Sequence, residues 1–198
     1  MQRVVAEERK FGKPLFVYIL TLYQHGPHSH PLSRLPAPWT PGLLSGLAAP
    51  LNTALTNYLY RLHDNAQAMA QLEHDLLDRN DPTVLLHFGD HQPSFEGQMM
   101  PLTRNIPEGY AKLGYALTYY VLKSNPHVEA LTHAPVLDIA YLPGLLLQAA
   151  GLPAGPHFTA QSQLRERCAG HFEDCADQTL LAAYYDHLFN HLQVMHRP

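Results

Sequence analysis

Residues 14–22, PLFVYILTL, form an unbroken apolar run, and no other stretch constrains the fold as tightly. The run lacks the alternation of a half-exposed strand. Its length and its Val, Ile, Phe and Tyr content suit a strand buried on both faces, as in a parallel sheet. The next stretch, YQHGPHSHPLSRLPAPWTPGLLSGLAAP, carries six prolines and reads as a long ordered loop, a kind of connection that is usually functional. Upstream, residues 2–11 are polar and read as the end of a helix.

From Leu55 the period changes. Leu55, Leu59, Leu62, Ala66, Met69, Leu72 and Leu76 recur at helical spacing, so an amphipathic helix is predicted over 53–79, ended by RNDP. TVLLHF (83–88) is a second strand. LTYYVLKS (117–124) is a third, after a loop containing PLTRNIPEG. A helix is predicted from near Pro135, with Gly151 at its C-terminus and Pro153 as a stop. Pro143 inside that segment predicts a kink or a late start. A last helix is predicted over 176–194, with Leu180, Leu181, Tyr184, Leu188 and Leu192 on one face. Strands separated by helices imply an α/β fold with a largely parallel sheet flanked by helices. Ligands in such sheets bind at the carboxyl ends of the strands, where His25, Asp90 and His91 all fall.

Composition narrows the function. Of 198 residues, 46 % are apolar and 15 % charged, which is globular rather than disordered. A net charge of −4 with no basic cluster argues against a nucleic-acid partner. No run reaches the roughly 18 apolar residues that span a bilayer. Charges near the N-terminus exclude a signal peptide there, so the chain reads as soluble as it stands. The 14 histidines exceed what a core usually needs and raise the question of metal or phosphate chemistry. Cys168 and Cys175, with His171 between them, are compatible with a local disulfide, a partial metal site or two thiols; an oxidising compartment would favour the disulfide.

The chemistry-bearing candidates are few. In TVLLHFGDHQPSF, Asp90 and His91 follow a strand directly, a carboxylate beside an imidazole, the donor types that suit zinc or manganese. Both reach one ion only if the chain turns, which Gly89 permits; otherwise the pair is a capping turn. In HGPHSHP, His25 comes first after the apolar run, while His28 and His30 read as exposed loop histidines. His87 reads as a satisfied core or layer-facing residue inside the strand, His63 as structural, and His187, His191 and His196 as surface histidines. No Gly-x-Ser-x-Gly elbow and no Gly-rich phosphate loop is present.

Taken in order, PLFVYILTLYQHGPH, NYLYRLHDNAQAMAQLEHDLL, TVLLHFGDHQP, YYVLKSN and LDIAYLPGLLLQAAGLP resemble the C-terminal half of the sulfatase-like catalytic domain of the alkaline phosphatase superfamily. The resemblance covers about residues 14–153 and is nearest the lipoteichoic acid synthase and phosphoethanolamine transferase branch; residues 154–198 form a C-terminal extension with a helix. It implies one partial domain over 1–198 with an alkaline-phosphatase-like fold whose N-terminal strands are missing. Asp90 and His91 match paired metal ligands for a divalent ion, Zn or Mn. His25 matches a histidine that contacts the substrate phosphate or assists the leaving group.

The implied chemistry is transfer of a phosphoryl-linked headgroup, phosphoglycerol or phosphoethanolamine, from a phospholipid through a phospho-enzyme. A sulfatase or phosphodiesterase acting on phosphate or sulfate esters is the alternative, and a non-catalytic interaction module a further one. No threonine matches the nucleophile: Thr21 lies in the apolar run and Thr40 in the loop. The chain alone is therefore expected to be inactive and to pair with a missing N-terminal half or with itself. A membrane-anchored parent would place it in the periplasm or another extracytoplasmic space.

Overall fold

The apolar run of residues 14–22 is not a strand. In the computed structural model it belongs to no helix or sheet and is exposed along its whole length. The described residues are 14–30, 32, 35–40, 44–95, 97–98, 106–125, 136–172 and 174–192. The helix end expected over 2–11, Pro135 and His196 lie outside them. The chain divides into two compact units, Met1–Asp78 with Pro93–Pro101, and Arg79–Gln92 with Leu102–Pro198.

The first unit is built on one long helix, α1 (Ala49–Leu77), with Pro50 in its first turn, where a missing N–H costs nothing. The predicted leucine stripe is only half covered, apart from buried Leu72. The other buried positions on α1 are polar: Asn52, Thr56 and Asn57. Their side chains serve the proline-rich loop. Asn52 Nδ2 donates to the Leu44 carbonyl, and Thr56 Oγ1 donates to Asn52 Oδ1 at 3.3 Å. Asn57 Nδ2 donates to the carbonyls of His28 and His30, at 2.8 and 3.0 Å. Satisfying loop carbonyls in this way is what allows an irregular segment to lie against a helix.

In the second unit, β1 (Val84–Phe88) and β2 (Tyr120–Ser124) form a two-stranded antiparallel sheet, with Leu86 opposite Leu122. This overturns the expected α/β fold with a largely parallel sheet. That expectation needed residues 14–22 as a strand joined to β1 through a crossover helix. With those residues in no strand, no such unit exists among the described residues, and a 3-10 turn (Ala111–Ala116), kinked at Gly114, precedes β2. An antiparallel pair requires no crossover helix. Asn125 fixes the far end of the hairpin, donating to the carbonyls of Arg79 and Asp81 and accepting from Thr83 N at 2.7 Å.

The rest of this unit is helical: a 3-10 turn (Ile139–Tyr141), α2 (Leu142–Ala149), α3 (Pro156–Arg167) and α4 (Gln178–Asp186), which continues into a π turn (His187–His191). Pro143 in the first turn gives α2 its late start. Its end is a Schellman motif: Gly151 has φ +63°, and the N–H groups of Gly151 and Leu152 reach back to Gln148 and Leu147. Asp177 caps α4, accepting from Leu180 N at 3.0 Å.

The core joins Tyr141, Leu164, Cys168, Cys175, Leu181 and Tyr184. Phe172 stacks on Tyr141, ring centroids 4.6 Å apart, and on Tyr184 at 6.0 Å. Most of these residues belong to 154–192. Cys168 and Cys175 form a disulfide. His171 inside the bridged loop is buried, with Nε2 3.7 Å from Asp138 and Nδ1 3.6 Å from Asp174. The thiols thus bond each other rather than a metal.

Candidate functional site

The Asp90–His91 turn is set by the surroundings of Gly89. Gly89 N donates to the Tyr119 carbonyl at 3.1 Å, one residue beyond the sheet. A Cβ on Gly89 would sit 2.4 Å from Thr118 Oγ1. Glycine is therefore required by a close approach, not by a left-handed backbone. The next anchor is Gln92, whose N–H donates to the Tyr115 carbonyl and whose Nε2 donates to the Leu117 carbonyl, both at 2.7 Å. Asp90 and His91 are held between these two fixed points and project outward, 75 % and 60 % exposed.

Local hydrogen bonds orient the pair. Asp90 Oδ1 accepts from His91 N at 2.9 Å. His91 Nδ1 lies 3.1 Å from the Gln92 carbonyl, and because a carbonyl only accepts, Nδ1 carries the hydrogen. In the neutral ring the lone pair is then on Nε2, which lies 3.6 Å from Asp90 Oδ2. Two acceptors face each other across this gap. Donors bound at about 2.0–2.1 Å to a tetrahedral ion sit roughly 3.3 Å apart, so the spacing suits a shared metal. A histidine whose other nitrogen is tied to a carbonyl is the usual metal-binding tautomer. Among the described residues, no group of three or more His, Cys, Asp or Glu side chains is placed to hold a metal ion.

His25 belongs to the first unit, while Asp90 and His91 belong to the second. Its N–H donates to the Leu22 carbonyl at 3.1 Å, and Nδ1 lies 2.9 Å from the Gly26 carbonyl, which leaves the ring exposed with Nε2 as the lone-pair nitrogen. Its own carbonyl accepts from Arg61 Nη1 at 3.2 Å. The Arg61 guanidinium lies 5.7 Å from the centre of the Tyr23 ring. Arg61 and Asn57 thus anchor the histidine loop to one face of α1, and reading the loop alone missed both. The signal was there as two polar residues four apart in NYLYR, which share a helix face.

His28 departs from its expected place. It is buried, edge-on to Tyr58 at 5.3 Å and tilted against Phe95 at 5.5 Å. Burial pushes its pKa down, reinforced by Arg61 and His25. His30 remains exposed. His63 packs on Trp39 at 5.4 Å, His87 contacts Tyr119 edge-on, and His191 Nε2 lies 3.4 Å from Asp186.

No family model and no solved structure matches the chain. An uncharacterized protein of Haemophilus influenzae is 31 % identical to it over 184 residues, 92 % of this chain and 32 % of that protein. The chain thus spans about a third of the length of the curated relative it matches. No helix among the described residues is long and apolar enough to cross a membrane.

Proposed function

We propose that this chain is part of a metal-dependent, sulfatase-like hydrolase or transferase acting on phosphate esters, with a phospholipid headgroup such as phosphoglycerol or phosphoethanolamine as the transferred group. The observation that carries this reading is the Asp90 Oδ2–His91 Nε2 pair, two acceptors 3.6 Å apart on an exposed, rigidly anchored turn. In it, Asp90 and His91 supply two donors to a zinc or manganese ion, and further donors come from outside the described residues. When bound, such an ion neutralises charge on phosphoryl oxygens and lowers the pKa of an attacking hydroxyl. His25 offers an exposed imidazole for the substrate phosphate or the leaving group, and Arg61 holds its loop in place. The disulfide favours an oxidising, extracytoplasmic compartment.

Zinc and manganese titrations followed by calorimetry test the assignment. Binding at one site is expected, weakened at least about tenfold by Asp90→Ala or His91→Ala, a loss at the low end of those seen when metal sites are disturbed. Unchanged affinity in both variants would sink the ligand assignment. The chain alone should not turn over a chromogenic phosphodiester, and robust turnover would place a nucleophile within it.

A further inference from the structure

Leu15, Phe16, Val17, Tyr18, Ile19, Leu20, Leu22 and Tyr23 are all large, apolar and 42–73 % exposed. Taking side chains of this kind at roughly 150–250 Å² each, they present on the order of 800 Å² to solvent. A soluble monomer rarely leaves more than a few hundred Å² of contiguous apolar surface uncovered, whereas about 800 Å² is what one partner contributes to a stable protein interface. The backbone is equally unprovided for. Within 15–22, the described hydrogen bonding is a single contact, the Leu22 carbonyl accepting from His25 N. Both alternating sets are exposed, Phe16, Tyr18 and Leu20 at 66–73 % and Leu15, Val17 and Ile19 at 42–49 %. A lipid surface covers one face of an adsorbed segment; covering both takes a protein that encloses it.

We infer that residues 15–23 are a docking segment, enclosed on both faces by polypeptide outside these 198 residues, of the kind that forms the remaining two thirds or so of the Haemophilus relative. With 92 % of this chain in the match, the stretch from Val17 onward lies inside the matched span wherever its ends fall. The relative therefore carries a counterpart of this segment together with a large amount of additional chain. The segment's main-chain donors and acceptors pair with that chain, and its aromatic and β-branched side chains fill both of the surfaces it meets. This inference is independent of the metal reading, since it uses neither Asp90 nor His91.

Amide hydrogen exchange tests it in two proteins, this chain and the full-length relative. In this chain, the amides of 15–22 should exchange at close to the unstructured rate; in the full-length relative the aligned amides should exchange at least about 100-fold more slowly. Equal rates would overturn the proposal. Protection in this chain that rises with concentration, with a dimeric mass by light scattering, would make a second copy the occupant and overturn it too. So would protection gained on adding vesicles of anionic phospholipid. A Phe16→Asp/Leu20→Asp double variant separates docking from folding. It should leave the circular dichroism and melting of this chain unchanged, and the same change at the aligned positions of the relative should abolish the protection. A lower melting temperature in this chain would show that the segment packs internally and would likewise overturn the inference.

Discussion

The two units of this molecule differ in the balance of what they bury. In the second, Leu145, Leu164 and the Tyr141–Phe172–Tyr184 stack go inside, and a disulfide closes the cluster. In the first, Thr56, Asn57, Asn52 and His28 go inside, while eight large apolar residues of 15–23 stay out. A core of the first kind is stabilised by removing apolar area from water, at about 25 cal/mol per Å². One of the second kind is held by hydrogen bonds, whose net contribution is about 1 kcal/mol each but whose loss strands buried polar groups. The difference teaches that, among the described residues, the second unit gathers an apolar cluster of its own, whereas the first leaves its longest apolar run exposed.

The widest separation between the units should come from leucine truncations. Leu164→Ala removes a fully buried side chain from the second core and should cost about 2–5 kcal/mol in a denaturant melt. Leu20→Ala, in the exposed segment, should stay within about 0.5 kcal/mol. Equal costs would erase the contrast. Next comes the disulfide. Its cysteines are seven positions apart, and releasing so short a loop should lower stability by roughly 2.5 kcal/mol. Cys168→Ser with Cys175→Ser should therefore unfold the second unit at lower denaturant and leave exchange in α1 unchanged. Loss of protection in both units would show that they unfold together.

In the first unit the largest effect belongs to a polar residue. Asn57→Ala leaves the His28 and His30 carbonyls without the amide that binds them, at about 1–3 kcal/mol. The histidine loop should then exchange faster while the α2–α4 region is unaffected. A neutral result would mean that Arg61 and the aromatic contacts hold the loop without Asn57.

How legible the fold was in the sequence depended on what each element buries. β1 and β2 were plain because compact apolar runs sit between turn residues, and Pro143 and Gly151 marked the limits of α2 by backbone geometry alone. The 154–198 stretch was read as an extension with one helix, and α3 was not foreseen. The buried residues of α3 are Gln161, Leu164 and Arg165, two of them polar. Their partners are the Tyr184 hydroxyl, to which Gln161 Nε2 donates at 2.8 Å, and Gln148 Oε1, to which Arg165 donates at 3.0 Å. Periodicity of apolar residues cannot register a face of that kind, nor the buried asparagines of α1. The run 14–22 misled in the other direction. Its composition says that it is to be covered on both faces, and composition carries no information about which chain covers it. At the candidate site the Asp90–His91 turn was legible, but the reason for Gly89 was not, because Thr118 approaches it from a segment 29 positions away.

The smallest expected effect is a pH dependence confined to the histidine loop. His28 is flanked by Tyr58 and Phe95, with Arg61 and His25 as the charged or titratable neighbours that act on it. Desolvation is the leading cause that lowers its pKa from 6.5, and both neighbours act in the same direction. The unfolded chain therefore binds the proton more readily than the folded one. The contribution of the neutral ring is intact above the unfolded pKa of 6.5 and is lost as the pH falls below it toward the folded value. Loop amides at 25–30 should thus lose protection between about pH 7 and pH 5. His28→Phe keeps the ring contacts and leaves the backbone carbonyl for Asn57, so it should flatten that response. His157, lowered by burial and by His187, gives the second unit an acid response of its own, and the variant should leave that one in place. If loop protection is the same across this range in the parent chain, burial of a neutral His28 is not what holds the loop to α1.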